Sequence, residues 1–350
     1  MTAIATDSIG KEPWLAVTLS RIIPGAGQIY AGYRVRGGIL LGLTVLLTGL
    51  GLGLIVSPEG SIQTGVMLLF LLVVLSIWNW FDAYGLAKQR NSEAFESLRR
   101  QGKDPWLAVF LSLLFPGLGH AYLKKWLFCA LWIALAIVLG ILPMGLSNLA
   151  GFFLSLGVAY HAYHATTTRR ETSSSLLLRV LSLFLAITLL SAGAALFIRV
   201  AIAEARYIVS ESMSPTLEIG DRLIINKQIY RTADPQRTDI VLYSPTPALL
   251  EIVPKATYQY LHRVIALPGE TLEIREGTVW INGSPLQEDY LLSLPEYQWG
   301  PETVPANSYF VLGDNRNNSL DGHIWGFLPR ENMIGKAVKI FWTPQRSRVL

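Results

Sequence analysis

The sequence predicts a multi-span α-helical membrane region followed by an all-β domain. Three observations carry this. Of the 350 residues 51% are hydrophobic and only 15% are charged, with a mean hydropathy of +0.38, which places the chain among membrane proteins. Long apolar runs fill the first two hundred residues. Beyond Ala205 these give way to short β-rich runs separated by turns.

The runs Gly38 to Ser57, Val66 to Tyr84, Leu127 to Met144, Leu149 to Ala165 and Leu177 to Val200 are each near the ~20 residues needed to cross a bilayer. They read as five spans. Trp14 to Tyr30 and Trp106 to Tyr122 are also apolar, but Pro24-Gly25 and Pro116-Gly117 break them and Arg21 interrupts the first. If these two segments dip in rather than span, then Arg34, Arg36, Lys88, Arg90, Arg99, Arg100, Lys103, Lys124, Lys125, Arg169, Arg170 and Arg179 all face the cytoplasm, as the positive-inside rule asks. The sparse loops Pro58 to Gly65 and Pro143 to Asn148 then face out. The expected topology is a multi-pass protein of the plasma (inner) membrane, with a cytoplasmic N-terminus and an extracytoplasmic C-terminal domain. Met1 to Glu12 is polar and does not read as a cleavable signal peptide.

Lys11-Glu12-Pro13-Trp14-Leu15-Ala16-Val17 recurs as Lys103-Asp104-Pro105-Trp106-Leu107-Ala108-Val109. The match continues through Pro24-Gly25-Ala26-Gly27 against Pro116-Gly117-Leu118-Gly119, and Tyr30 against Tyr122. The unit is one broken segment plus a two-helix hairpin, duplicated in parallel. The P-G-x-G-x-x-Y pattern resembles the two-helix membrane modules grouped as TM2-like. The domain reading is a first membrane repeat over 1–90, a second over 91–170, a fifth helix over 171–203 and an exported β-rich domain over 204–350.

In that last segment, strands are predicted at Arg222 to Asn226, Asp239 to Tyr243, His262 to Ala266, Thr271 to Arg275, Thr278 to Ile281, Tyr309 to Leu312 and Ala337 to Trp342. Glu276-Gly277 and Asn282-Gly283 are hairpin signals. Ser284 to Asn307 reads as a loop-like insertion. Three segments carry chemistry. Ser210-Glu211-Ser212-Met213-Ser214-Pro215-Thr216-Leu217 puts small hydroxyl residues in a turn just after the last apolar helix. His262-Arg263-Val264-Ile265-Ala266-Leu267-Pro268-Gly269-Glu270 and Gly313-Asp314-Asn315-Arg316-Asn317-Asn318-Ser319-Leu320-Asp321-Gly322-His323-Ile324-Trp325-Gly326 follow in order.

Together the three segments resemble the type I signal peptidases, membrane-bound serine endopeptidases that remove signal peptides from exported proteins. The resemblance covers about Arg199 to Trp342 and implies an all-β signal-peptidase-like catalytic fold. Bacterial members carry a lysine general base where this chain has His262, whereas endoplasmic-reticulum-type members carry histidine there. A serine hydroxyl needs a nearby base to take its proton, and a histidine titrates near 6.5 without special burial. The reading is therefore Ser212 as nucleophile and His262 as base. By the resemblance, Asp321 orients the base, with Asp314 as runner-up. Ser210 assists the Ser212 N–H in an oxyanion hole, while Arg263, Ser319 and His323 support the site. Ile208, Val209, Met213 and Pro215 flank the substrate, in shallow pockets for small residues at its −1 and −3 positions. Asn317 and His323 depart from the bacterial pattern. Lys255 and His323 are the fallback bases.

The expected partners are preprotein signal peptides, the lipid bilayer, and secretion machinery or other membrane proteins at the duplicated hairpins. The net charge of +4 is accounted for by the basic loops and implies no nucleic acid. Cys129 is the only cysteine, which excludes a disulfide or a cysteine metal site within one chain. No cofactor or metal is expected. The competing functional reading is a catalytically silent adaptor that binds precursors. A self-cleaving repressor-type protease, being cytosolic, is disfavoured by the spans.

Overall fold

The computed structural model describes residues 10–57, 60–167, 174–255 and 258–350. Met1, Pro58, Arg169 and Arg170, which enter the topology argument, lie outside the described residues. The chain divides into two compact units, Met1–Leu54 with Gln63–Ser191, and Ile55–Ile62 with Ala192–Leu350.

The helices are α1 (Pro13–Ile22), α2 (Ala26–Tyr30), α3 (Arg34–Val56), α4 (Ile62–Gln89), α5 (Glu93–Arg100), α6 (Pro105–Leu114), α7 (Leu118–Tyr122), α8 (Trp126–Gly140), α9 (Met144–Ala165) and α10 (Ser174–Phe197). Each expected span falls on a helix, yet only three stretches among the described residues are long and apolar enough to cross a membrane: Arg34–Ile55, Ile62–Gln89 and Ser175–Ile202. The run expected at Leu127 to Met144 makes a helix of 15 residues, short for a bilayer. The run at Leu149 to Ala165 sits in α9, whose Ser147, Asn148, His161 and His164 dilute its hydropathy. By length and composition α3, α4 and α10 each suffice to cross a bilayer, and α8 and α9 are not among the helices that do.

Both broken segments fold back by the same means. Gly25 (φ 87°) and Gly117 (φ 92°) adopt the left-handed conformation between α1 and α2 and between α6 and α7, a conformation that costs a glycine nothing. The Tyr30 hydroxyl accepts from Glu12 N at 3.0 Å, and that of Tyr122 from Asp104 N at 2.8 Å. Beneath them Leu15, Ile22, Trp106, Val109, Ala159, Tyr163 and Leu177 form one buried cluster.

The other unit is all-β apart from short helical turns. Its strands are β1 (Ala203–Tyr207), β2 (Arg222–Asn226), β3 (Ile240–Tyr243), β4 (Tyr260–Ala266), β5 (Thr271–Arg275), β6 (Thr278–Ile281), β7 (Ser284–Pro285), β8 (Trp299–Thr303), β9 (Ser308–Leu312), β10 (Leu328–Pro329), β11 (Met333–Trp342) and β12 (Arg348–Val349). Among the described residues one antiparallel sheet runs β1-β2-β11-β3-β4-β9-β10 with β12 on β11, and a second runs β7-β6-β5-β8. Three bulged registers on β11 bend the first sheet, as extra residues in one strand do. The predicted hairpin turns close β5–β6 and β6–β7, with positive φ at Glu276, Gly277, Asn282 and Gly283. One expectation is corrected: the stretch read as a loop-like insertion contains β8, which pairs with β5. Trp299 packs on Phe310 at a ring separation of 4.4 Å and Trp325 is buried, while Trp342 is half exposed.

Candidate active site

The strand β4 lies between β3 and β9, so both its neighbours are fixed by ladder hydrogen bonds. Successive side chains on a strand point to opposite faces. His262 therefore points one way and Arg263 the other. Across the ladder His262 opposes Val241, and Tyr243, two residues on, shares that face as a diagonal neighbour. The Tyr243 hydroxyl lies 2.6 Å from His262 Nδ1. Ser319 Oγ lies 3.2 Å from Nε2. The imidazole, 2% exposed, is thus held at both nitrogens.

Arg263 on the far face makes a bidentate pair with Asp314, Nε to Oδ1 at 2.8 Å and Nη2 to Oδ2 at 2.6 Å. It also donates to Thr216 Oγ1 and to the Thr238 carbonyl and lies over the Tyr290 ring. This planar, forked fit is one that lysine cannot reproduce. Asp314, the runner-up for orienting the base, instead ties β4 to the segment after β9. Its carboxylate makes no hydrogen bond to His262.

The turn that carries Ser212 is anchored to the same segment. Asn315 N donates to the Ser212 carbonyl at 3.0 Å and Asn315 Nδ2 to that of Glu211 at 3.2 Å. Gly313 passes directly beneath: a Cβ there would stand 2.4 Å from the Ser212 carbonyl oxygen and 2.3 Å from Ser319 Oγ. Ser212 N donates to Ser210 Oγ at 3.2 Å, so the two expected oxyanion donors sit side by side. Ser212 and His262 line one cavity of about 280 Å³ together with Ser210, Ile208, Val209 and Met213. They do not hydrogen-bond each other here; such bonds commonly tighten only with substrate in place.

Two expectations change. Pro215 does not line this cavity but another one, with Thr216 and Arg263, and its carbonyl accepts from Arg346 Nη2 at 3.2 Å. Asp321, read as the group that orients the base, makes no direct hydrogen bond to His262. Its Oδ2 accepts from Gly313 N at 2.8 Å, and its Oδ1 accepts from His323 N at 3.2 Å and meets His323 Nδ1 at 2.7 Å. Burial alone would raise the Asp321 pKa, but the His323 bond, the nearby His262, the Gly313 N–H and the Ser319 hydroxyl together hold it below the usual carboxylate range. It remains an anion that acts on His262 through space. His323 stacks on Tyr297 at 4.0 Å and, like Lys255, is absent from the cavity lining. Burial pulls the His262 pKa below its ordinary value; Asp321 and Asp314 push it back up and His323 pulls it down. Burial outweighs the two carboxylates, so the balance favours the neutral imidazole.

Sequence reasoning missed Tyr243, whose position beside His262 depends on strand register, and the buried Arg316, whose Nη1 meets Glu288 Oε2 at 3.1 Å. Among the described residues no group of three or more His, Cys, Asp or Glu side chains forms a metal-binding cluster.

This arrangement has relatives. A sequence model of the family described as signal peptidase, peptidase S26, matches residues 180–342. A signal peptidase I of Leptolyngbya laminosa is 55% identical over 157 residues, covering 45% of this chain and 77% of its own length. A probable signal peptidase I-2 of Synechocystis sp. is 48% identical over 159 residues, 45% of this chain and 71% of its own. Thylakoidal processing peptidase 1 of Arabidopsis thaliana, chloroplastic, is 40% identical over 152 residues, 42% of this chain and 44% of its own. With a β domain of the expected kind, and with the Leptolyngbya and Synechocystis relatives aligned over 77% and 71% of their own length, the chain belongs to the signal peptidase family, peptidase S26.

Proposed function

We propose that this membrane hydrolase removes signal peptides from exported preproteins by acyl transfer to Ser212, with His262 as the general base in place of lysine. The observation that carries the assignment of these two residues is their shared cavity, lined by Ser212, Ser210 and the buried imidazole among largely apolar walls. A histidine needs less desolvation than a lysine to be neutral at working pH, since lysine must fall from about 10.4. The Ser212 and Ser210 donors support an oxyanion role, each such donor typically contributing ~3 kcal/mol. A cavity of about 280 Å³ suits short side chains at the −1 and −3 positions. Incubating the purified protein with a preprotein and sequencing the new N-terminus tests this. The expected product begins just after a signal peptide with small residues at −1 and −3. Binding without cleavage would instead favour the adaptor.

The proposed topology keeps the N-terminus in the cytoplasm and exports the β domain. It is supported by the basic residues at Lys88 to Lys103 and Lys124-Lys125, and by the apolar helix α10 leading into β1. Protease added outside intact cells should remove the β domain; full protection until lysis would reverse the orientation. We read α1–α2 and α6–α7 as two copies of one docking module for membrane partners, a reading supported by their matching glycine breaks and tyrosine-to-backbone bonds.

A further inference from the structure

We propose that Tyr243 is a positioning residue for this reaction: its phenol oxygen accepts a hydrogen bond from His262 Nδ1–H, so that Nε2, which lies 3.2 Å from Ser319 Oγ, is unprotonated and can take the Ser212 proton. The inference rests on the Ser212 and His262 assignment above. A histidine base works only if the nitrogen facing the nucleophile is unprotonated, and a partner at the other nitrogen sets that tautomer. In acyl-transfer triads a carboxylate usually fills that place. Here both oxygens of the nearest carboxylate, Asp321, are committed to Gly313 and His323, and the atom at Nδ1 is the Tyr243 oxygen at 2.6 Å.

The phenol is built to stay where it is. Its backbone is in the β3–β4 ladder, the side chain is fully buried, and its ring packs against Trp325 at 5.8 Å and Tyr260 at 6.0 Å. Burial, then the charge of Asp321 and the neighbouring Tyr260, push its ionisation well above the ordinary tyrosine value. Tyr243 therefore remains a neutral phenol and takes no proton in the cycle. Orientation and charge are divided between two groups: Tyr243 holds the ring, while the anionic Asp321 favours the imidazolium through space.

The proton inventory closes. As Ser212 Oγ bonds to the scissile carbonyl carbon, its proton passes to Nε2. The same proton then goes to the departing amine nitrogen as the C–N bond breaks. In the second half, water bonds to the acyl carbon and gives a proton to Nε2, which returns it to Ser212 Oγ as the acyl–oxygen bond breaks. The Nδ1 proton stays on the ring throughout, shared with Tyr243. The titratable groups that act on His262 are Asp321, Asp314 and His323 from the segment after β9, with Tyr243 on β3. Deleting the Tyr243 oxygen removes a partner that favours the imidazolium, so the acid limb of the rate should move to lower pH.

The test is Tyr243→Phe in the full-length protein in detergent, which keeps the ring and deletes one oxygen. The expected result is a kcat lower by about 10- to 100-fold, with KM within about twofold and the acid limb displaced downward. Histidine-¹⁵N NMR of the wild type supplies a readout that needs no variant. Wild-type His262 should be the Nδ1-protonated tautomer, and the variant should shift toward Nε2–H. A wild-type Nε2–H tautomer, or a Phe variant with wild-type kcat and pH profile beside an inactive His262→Ala, would overturn the role of Tyr243 alone. An active His262→Ala would overturn the assignment beneath it.

Discussion

Ser212→Ala is expected to abolish preprotein cleavage, with a loss of at least about 10⁴-fold in kcat, while the protein inserts and folds as before. The side chain is partly exposed, and the turn is held through main-chain atoms that alanine retains: the Ser212 carbonyl receives Asn315 N, and Met213 O receives Leu217 N. Deleting one turn hydroxyl falls outside the mechanisms that cause large destabilisation. A preprotein assay on wild type and variant, matched for thermal midpoint, measures the effect. Full turnover by the variant would end the serine-protease reading.

The second large effect is at the base. His262→Ala should lower kcat/KM by about 10²- to 10⁴-fold and should remove the acid limb of the pH profile. In the wild type that limb belongs to the folded His262. Burial lowers its pKa, so activity should hold to lower pH than an ordinary histidine's value near 6.5 allows. The stability sign follows. The unfolded chain binds the His262 proton near pH 6.5 and the folded chain only below that. Stability from keeping this imidazole neutral is therefore fully present above about 6.5 and is lost as pH falls toward the folded value. Measuring kcat/KM and the thermal midpoint against pH for both proteins checks both halves. A wild-type limb above pH 8, or an unimpaired alanine variant, would reject His262. Asp321→Asn should also cost activity, but by withdrawing negative charge near His262 and disturbing the Gly313 and His323 contacts, since its carboxylate makes no direct bond to the ring.

What the sequence revealed and what it hid follow from the range of the interactions involved. The β5–β6 hairpin was legible because Glu276-Gly277 encodes its turn locally, and β2, β5 and β6 were found with their observed bounds. Strand β8 was hidden because Gly300 and Pro301 interrupt its pattern, and only pairing with β5 makes it a strand. The membrane helices were visible as apolar runs, of which those at α3, α4 and α10 are, among the described residues, long and apolar enough to cross a membrane. In the site, the nucleophile turn, His262 and Ser319 were marked by motifs. The Asp321 partner was read from its place in a motif and came out differently, because its hydrogen bonds go to residues two and eight positions away in its own loop. Tyr243 left no local mark: an aromatic residue in a strand becomes the partner of a histidine nineteen residues on only once β3 and β4 are in register.

The missing side chain at Gly313 has one more consequence. The main-chain oxygen of the nucleophile turn and the hydroxyl of the base's neighbour both rest within 2.5 Å of where a methyl group would sit. The acyl-bearing half of the machinery and its proton-handling half are therefore braced against one α-carbon, and a displacement of either is passed to the other. Any tightening of Ser212 on His262 as substrate loads has to be accommodated at that α-carbon, where only a glycine leaves room. Sequence drift at this position would register in turnover before it registered in affinity.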